Sequence, residues 1–278
     1  QPPACCDAGP CMAFRSLGMD LWWIGLAAFF AAGLTLFSGF GLGTLLTPVF
    51  ALFFPLPLAI AGTAVVHLAN NVFKLGLLVK HADWRVVWRF GLPAMAAAVL
   101  GALLLAWIGE MPTWMTWSLG ERRFEITPLK ALIGLLICSF AALEMSSRFA
   151  RVALPPRWLP VGGVLSGFFG GLSGNQGALR SAFLIKLGLP KRAFVATGGV
   201  IAVIIDASRI GVYGLGDLRT ALQPDSTLLL PILIGTLCAF LGTWLGSRLL
   251  DKVTLRSVQV VVAIALWGIG LGLMLGVL

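Results

Sequence analysis

Two stretches of the chain bring glycine together with short polar side chains inside otherwise apolar sequence. The first is Gly39-Phe40-Gly41-Leu42-Gly43-Thr44, followed by Thr47. The second is Ser173-Gly174-Asn175-Gln176-Gly177, followed by Arg180. Glycine has no Cβ, so backbone N–H groups at a helix start can approach a ligand closely. A helix N-terminus also carries about half a positive charge and several unpaired donors. Two such starts facing each other would cradle an oxyanion. Gly41, Gly43, Gly171 and Gly174 are therefore assigned to a candidate site, with the hydroxyls of Thr44, Thr47 and Ser173 and the amides of Asn175 and Gln176. Gly33, Gly101, Gly134 and Gly242 lack such neighbours and are expected to serve close helix packing.

Arg180 is the most informative single residue. It lies inside an apolar half-segment, where an arginine costs about 2.5–3.5 kcal/mol even on the mildest insertion scale. It is expected to face a cavity, where its guanidinium would offer two parallel donors to an oxyanion. The alternative is snorkelling to the membrane surface. Thr63, His67, Asn70, Asn71 and Lys74 follow one another at helical spacing and give one polar face. Asp206, Ser208 and Arg209 occupy the corresponding run later in the chain. Thr63, His67, Asn71 and Arg209 join the candidate substrate-binding set, although His67 could equally be a core histidine bonded to a carbonyl. Asp206 is expected to pair with Arg209 or Lys74 and is the candidate for carrying a coupled proton.

Enzyme chemistry finds no support. With two histidines, His67 and His81, no HExxH helix can be formed. No GxSxG elbow and no Walker loop occur. The five cysteines contain no CxxC pair. No catalytic residue, metal ligand or cofactor is assigned.

The composition identifies the solvent. Of 278 residues, 59% are hydrophobic and 11% charged, with mean hydropathy +0.96. Soluble domains run at about 45–50% apolar and about 25% charged. So few polar groups cannot cover so much apolar surface in water, so the surroundings are lipid. This excludes a soluble enzyme, a disordered chain and a nucleic-acid-binding module.

Apolar runs cover 21–37, 44–54, 58–79, 86–108, 126–145, 159–172, 178–187, 193–212, 228–250 and 255–278. They are continuous rather than alternating, which predicts helices rather than a barrel. The connection 111–124, with Trp114 and Trp117 beside charged residues, is expected to lie at the interface. Basic residues cluster at Lys80, Arg85 and Arg89; at Arg148, Arg151 and Arg157; at Lys186, Lys191 and Arg192; and at Arg248, Lys252 and Arg256. Placing all four clusters in the cytoplasm satisfies the positive-inside rule and accounts for the net charge of +9. The stretch from Arg157 to Lys191 then starts and ends inside, which makes its two short runs a re-entrant pair. Both termini fall outside the cytoplasm.

This parity predicts two halves of opposite orientation. Ser38-Gly39-Phe40-Gly41-Leu42-Gly43 is similar to Ser166-Gly167-Phe168-Phe169-Gly170-Gly171, and Leu56-Pro57 to Leu189-Pro190. Thr63 matches Thr197 at the same offset by which Asp83-Trp84-Arg85 matches Asp217-Leu218-Arg219. The expected fold is an all-α polytopic membrane protein of two inverted-topology repeats, each a broken or re-entrant helical hairpin followed by three long helices. The expected divisions are a tail at 1–20, a first repeat at 21–147, a basic cytoplasmic linker at 148–158 and a second repeat at 159–278. Inverted repeats with interrupted helices are the layout of secondary transporters, and the breaks mark the site.

The residues also carry a family resemblance. Gly39-Phe40-Gly41-Leu42-Gly43 with Thr47-Pro48, Leu56-Pro57 and Asp83-Trp84-Arg85 resemble the first signature of the TauE/SafE sulfite and organosulfonate exporters. Gly167, Gly170, Gly171 and Gly174 with Leu187-Gly188-Leu189-Pro190 resemble the second. The second break departs from the family pattern in its polar run from Ser173 to Ser181. The resemblance implies export of sulfite or a short organosulfonate across a bacterial inner membrane by a multi-pass protein. Its implied partners are that small anion and membrane lipid, without nucleic acid; a homo-oligomer stays open. The alternatives are a proton-coupled importer of the same architecture, a non-transporting membrane scaffold, and a cation channel, which would want more intramembrane acids than Asp206 and Glu144.

Overall fold

The computed structural model describes residues 21–33, 42–146, 148, 152, 154–213, 228–249 and 256–278. Helix α1 (Leu21–Gly33) and α2 (Leu42–Ala51) precede three long helices, α3 (Leu56–Leu78), α4 (Trp84–Gly109) and α5 (Pro128–Met145). Two shorter helices follow, α6 (Leu159–Ser173) and α7 (Gly177–Leu184), and then α8 (Lys191–Tyr213), α9 (Leu229–Leu249) and α10 (Arg256–Met274). Among the described residues, five helices are long and apolar enough to cross a bilayer. The chain is a multi-pass helical membrane protein with little sheet.

Local chemistry sets the helix ends. Asp83 caps α4 by accepting from the N–H groups of Arg85 and Val86 at 3.0 and 3.2 Å. The Asp83 N–H donates to Thr197 Oγ1 of α8 at 2.9 Å. Thr127 caps α5, with Pro128 in the first turn. Gly174 ends α6 at φ 81°, a left-handed conformation that suits glycine.

Helices α3 and α8 cross in opposite directions. Leu75 packs on Gly199, His67 faces Asp206, and Thr197 reaches the residues just after α3. Helix α6 has 15 residues and α7 has 8, which gives lengths of about 22 and 12 Å. Neither spans a hydrocarbon core of about 30 Å. The Leu154 N–H bonds to the Ala182 carbonyl, so α7 returns to the end from which α6 set out.

Packing explains much of the glycine content. Gly163, Gly167 and Gly171 form one stripe on α6, and a Cβ on each would overlap the carbonyl oxygens of Phe90, Ala94 and Ala98 on α4. Backbones this close maximise dispersion where lipid supplies no hydrophobic drive. Gly33 with Gly242, Gly101 with Phe168 and Gly134 with Gly270 make similar approaches. Gly171, assigned to the site from its neighbours, is thus a packing glycine.

The connection expected at the interface contains a β-hairpin. Met115–Leu119 and Arg122–Ile126 form an antiparallel hairpin turning at Gly120, where φ is 63°. Trp117 stacks on Phe124 at 4.6 Å and donates through Nε1 to the Leu275 carbonyl at 2.8 Å. The backbone of the hairpin pairs internally while Met115, Trp117 and Leu119 alternate with Thr116 and Ser118, which suits a strand.

Gly41, the Asp217-Leu218-Arg219 partner of Asp83-Trp84-Arg85, the tail at 1–20, and Arg151 and Lys252 of the basic clusters lie outside the described residues.

Candidate functional site

His67 is the central residue of the 23-residue α3. Its Nδ1–H donates to Asp206 Oδ2 on α8, and both side chains are buried. Asp206, with no exposed surface, collects donors from three directions. Asn71 Nδ2 reaches Oδ2 at 3.3 Å, from one turn beyond His67 on α3. Gln176 Nε2 reaches Oδ1 at 3.1 Å, from the break between α6 and α7. Arg209 Nε reaches Oδ1 at 3.1 Å, from one turn along α8, and a second guanidinium nitrogen lies 3.0 Å from the same oxygen. A buried carboxylate persists only when so paired.

Gln176 extends the network. Its Oε1 accepts from an Arg180 N–H at 3.1 Å, and its backbone carbonyl accepts from Ser166 Oγ at 3.0 Å. Arg180 is half-buried, with its Nε beside Gly198 of α8. It reaches into the protein rather than snorkelling. Lys74 is buried on the same helix as His67. Among the described residues of this cluster, Lys74, Arg180 and Arg209 stand against the single carboxylate of Asp206.

The two breaks meet here. A Cβ on Gly43 would sit 2.9 Å from the Gly174 carbonyl oxygen, and a Cβ on Gly174 would sit 2.8 Å from a terminal Arg209 nitrogen. Thr47, one turn beyond Gly43, is buried with its hydroxyl unpartnered. Asn175 Nδ2 is likewise buried and unpartnered, and so are the two terminal nitrogens of Arg209. The nearer of these to Asp206 has ion-pair distance without hydrogen-bond alignment. Thr63 Oγ1 is a further unpartnered hydroxyl one turn before His67.

Other members of the expected set are occupied differently. Ser173 Oγ donates to the Phe169 carbonyl of its own helix at 3.1 Å. Thr44 is buried on α2. Asn70, on the same polar face of α3 but outside that set, turns toward α9, where Thr243 Oγ1 donates to its Oδ1 at 2.7 Å.

Two contributors had escaped sequence reasoning. Ser166 steadies the break through the Gln176 carbonyl. Tyr213, the chain's one tyrosine, donates to the Gly171 carbonyl at 2.5 Å from one turn beyond Arg209. A lone phenol at the end of a span was the available signal. Tyr213 also lines a cavity of about 480 Å³ with Pro57, Ile60, Ala61, Leu105 and Val212, at the end of the bundle away from Lys80 and Lys191.

Residues 24–273 match the family described as "Sulfite exporter TauE/SafE". No curated protein and no solved structure matches the chain.

Proposed function

Since the chain belongs to the sulfite exporter TauE/SafE family, a family of transporters and not of enzymes, we propose that it is a secondary transporter carrying a small sulfur-containing anion, sulfite or a short organosulfonate, out across a bacterial inner membrane. The observation that carries this proposal is the pair of arginines tied to the second break, Arg180 through Gln176 and Arg209 through Asp206, which is the one carboxylate among the described residues there. Asp206 neutralises one of the two guanidiniums, and the other is balanced when an anion arrives. An uncompensated charge in a low-dielectric interior is expensive, so anion binding is favoured.

Two inverted repeats are part of this proposal. Support comes from the opposed crossing of α3 and α8, the matching packing of α5 on α10, and the re-entrant return of α7. The candidate site residues Gly43, Thr47, Thr63, His67, Asn71, Asn175, Gln176, Arg180 and Arg209 belong to it as well.

An inside-negative potential drives a monovalent anion outward by about 2.3 kcal/mol per 100 mV, so export needs no coupling ion. The His67–Asp206 contact favours one rival, proton-coupled uptake, because a histidine and a carboxylate can share a transferable proton. Purified protein in liposomes, loaded with sulfite and given a potassium-diffusion potential, separates the two. Export predicts sulfite efflux that accelerates with an inside-negative potential at equal pH on both sides. Flux that requires an inward proton gradient would establish the importer, and no flux of any sulfur oxyanion would leave a scaffold.

A further inference from the structure

The unpartnered donors at the breaks are specific in kind and place. Arg209 is fully buried; one terminal nitrogen lies at ion-pair distance from Asp206, and the other has no hydrogen-bond partner. Asn175 and Thr47 are 3% and 2% exposed, and the Asn175 Nδ2 and Thr47 Oγ1 are also unpartnered. All cluster around Gly174: Asn175 adjoins it, an Arg209 nitrogen lies 2.8 Å from where its Cβ would stand, and Gly43, one turn from Thr47, comes close to its carbonyl. A buried donor without an acceptor costs about 1–3 kcal/mol, more when charged, and three side chains from three separate elements share that condition.

Arg180 differs. It is half-buried, it donates to Gln176, and it lies level with Gly198. Arg209 is three turns further along α8, roughly 16 Å at 1.5 Å per residue. Helix α8 starts at Lys191, at the end with the basic clusters, so Arg180 is the shallower of the two on that side.

The geometry points to a division of labour between the two arginines: the terminal Arg209 nitrogen beside Gly174, with Asn175 Nδ2 and Thr47 Oγ1, is the central seat of the anion, and Arg180 is the cation that meets it first from the basic end. This rests on the transport proposal above and adds where the anion stops. The seat offers guanidinium and amide N–H donors and one hydroxyl. Its ligand therefore presents acceptor oxygens on several sides, as a sulfite or sulfonate group does. Gln176 acts through others: it holds Arg180 with its oxygen and Asp206 with its nitrogen.

The test measures sulfite binding to purified full-length protein by calorimetry, separately from flux. Thr47→Val and Asn175→Leu remove one donor each without touching the Asp206 ion pair. Each is expected to raise Kd by about tenfold, the value of one lost hydrogen bond to a charged ligand. Arg209→Lys is expected to raise it by about a hundredfold or more, because the fork is lost. Arg180→Gln is expected to raise the KM for sulfite presented at the basic face while changing equilibrium Kd by less than about threefold. If Arg209→Lys fails to fold, the Thr47 and Asn175 variants decide alone. Folded Thr47→Val and Asn175→Leu proteins with wild-type Kd would overturn the seat. So would an Arg180→Gln loss in Kd as large as that of the other variants. Wild-type protein that binds sulfite without moving it would fail the transport proposal and leave the seat standing.

Discussion

His67 and Asp206, 139 residues apart, are joined at the centre of the bundle by a hydrogen bond from the imidazole Nδ1 to the carboxylate. The contact ties the long helix of one half to that of the other. Asp206 also anchors Arg209, Asn71 and Gln176, so one carboxylate connects two crossing helices and a break.

Asp206→Asn should therefore lower stability. Arg209 would lose its counter-charge, and breaking a buried pair on one side costs about 3–5 kcal/mol. Thermal unfolding in detergent reads this as a reduced Tm. Electrogenic sulfite efflux should persist, because the Arg209 donor proposed to hold the anion remains. A folded Asp206→Asn protein that loses pH-dependent uptake, where the wild type has it, would replace export by proton-coupled import.

Gly174→Ala should lose sulfite binding, whereas Gly188→Ala should not. Both glycines have positive φ, 81° and 65°, so both substitutions carry a left-handed penalty of about 1–2 kcal/mol. Only at Gly174 would the new Cβ press on the Arg209 guanidinium, at 2.8 Å; at Gly188 nothing lies within 4 Å. Calorimetry and thermal unfolding on the pair separate strain from contact. Equal Kd in both variants would argue against Gly174 as part of the site.

Arg180→Lys should weaken sulfite transport despite keeping the charge. The planar fork that reaches Gln176 Oε1 and leaves other donors free is replaced by a single ammonium. An increased KM at the basic face, with Vmax less affected, is expected in liposomes. A Vmax loss at unchanged KM would place Arg180 in a conformational step instead.

Lys186 and Glu121 should lie on opposite sides of the membrane. Both are exposed, one beyond α7 and the other on the hairpin between α4 and α5. In a background free of the five native cysteines, Glu121→Cys should react with an impermeant thiol reagent in intact cells. Lys186→Cys should react only after permeabilisation. The reverse pattern would invert the orientation.

Much of the fold was legible in the amino-acid order. Continuous apolar runs define helices because backbone groups in lipid must bond within their own segment. The break at Ser173–Gln176 was legible because glycine and amides interrupt such a run. The hairpin at Met115–Ile126 was not, since tryptophans beside charges mark an interfacial position without a secondary structure until Met115, Trp117 and Leu119 are seen to alternate. The packing role of Gly171 was hidden for another reason: a glycine beside polar residues reads the same whether its missing Cβ makes room for a ligand or for the Ala98 carbonyl.

The sequence by itself determined the lipid surroundings, the helical class, the polar face of α3 from Thr63 to Lys74, and the need of Asp206 for a partner. Helical periodicity assigns residues to a face of their own helix and says nothing of the helix they meet. Only the tertiary structure decided that Asp206 takes His67, Asn71, Gln176 and Arg209 together, that Asn70 turns away to Thr243, and that Thr47, Asn175 and Arg209 keep unpartnered donors beside Gly174. Those partnerships depend on the rotation and crossing of helices far apart in the chain. These are set by the glycine-scale fit of α6 against α4 and of α3 against α8, which no single segment contains.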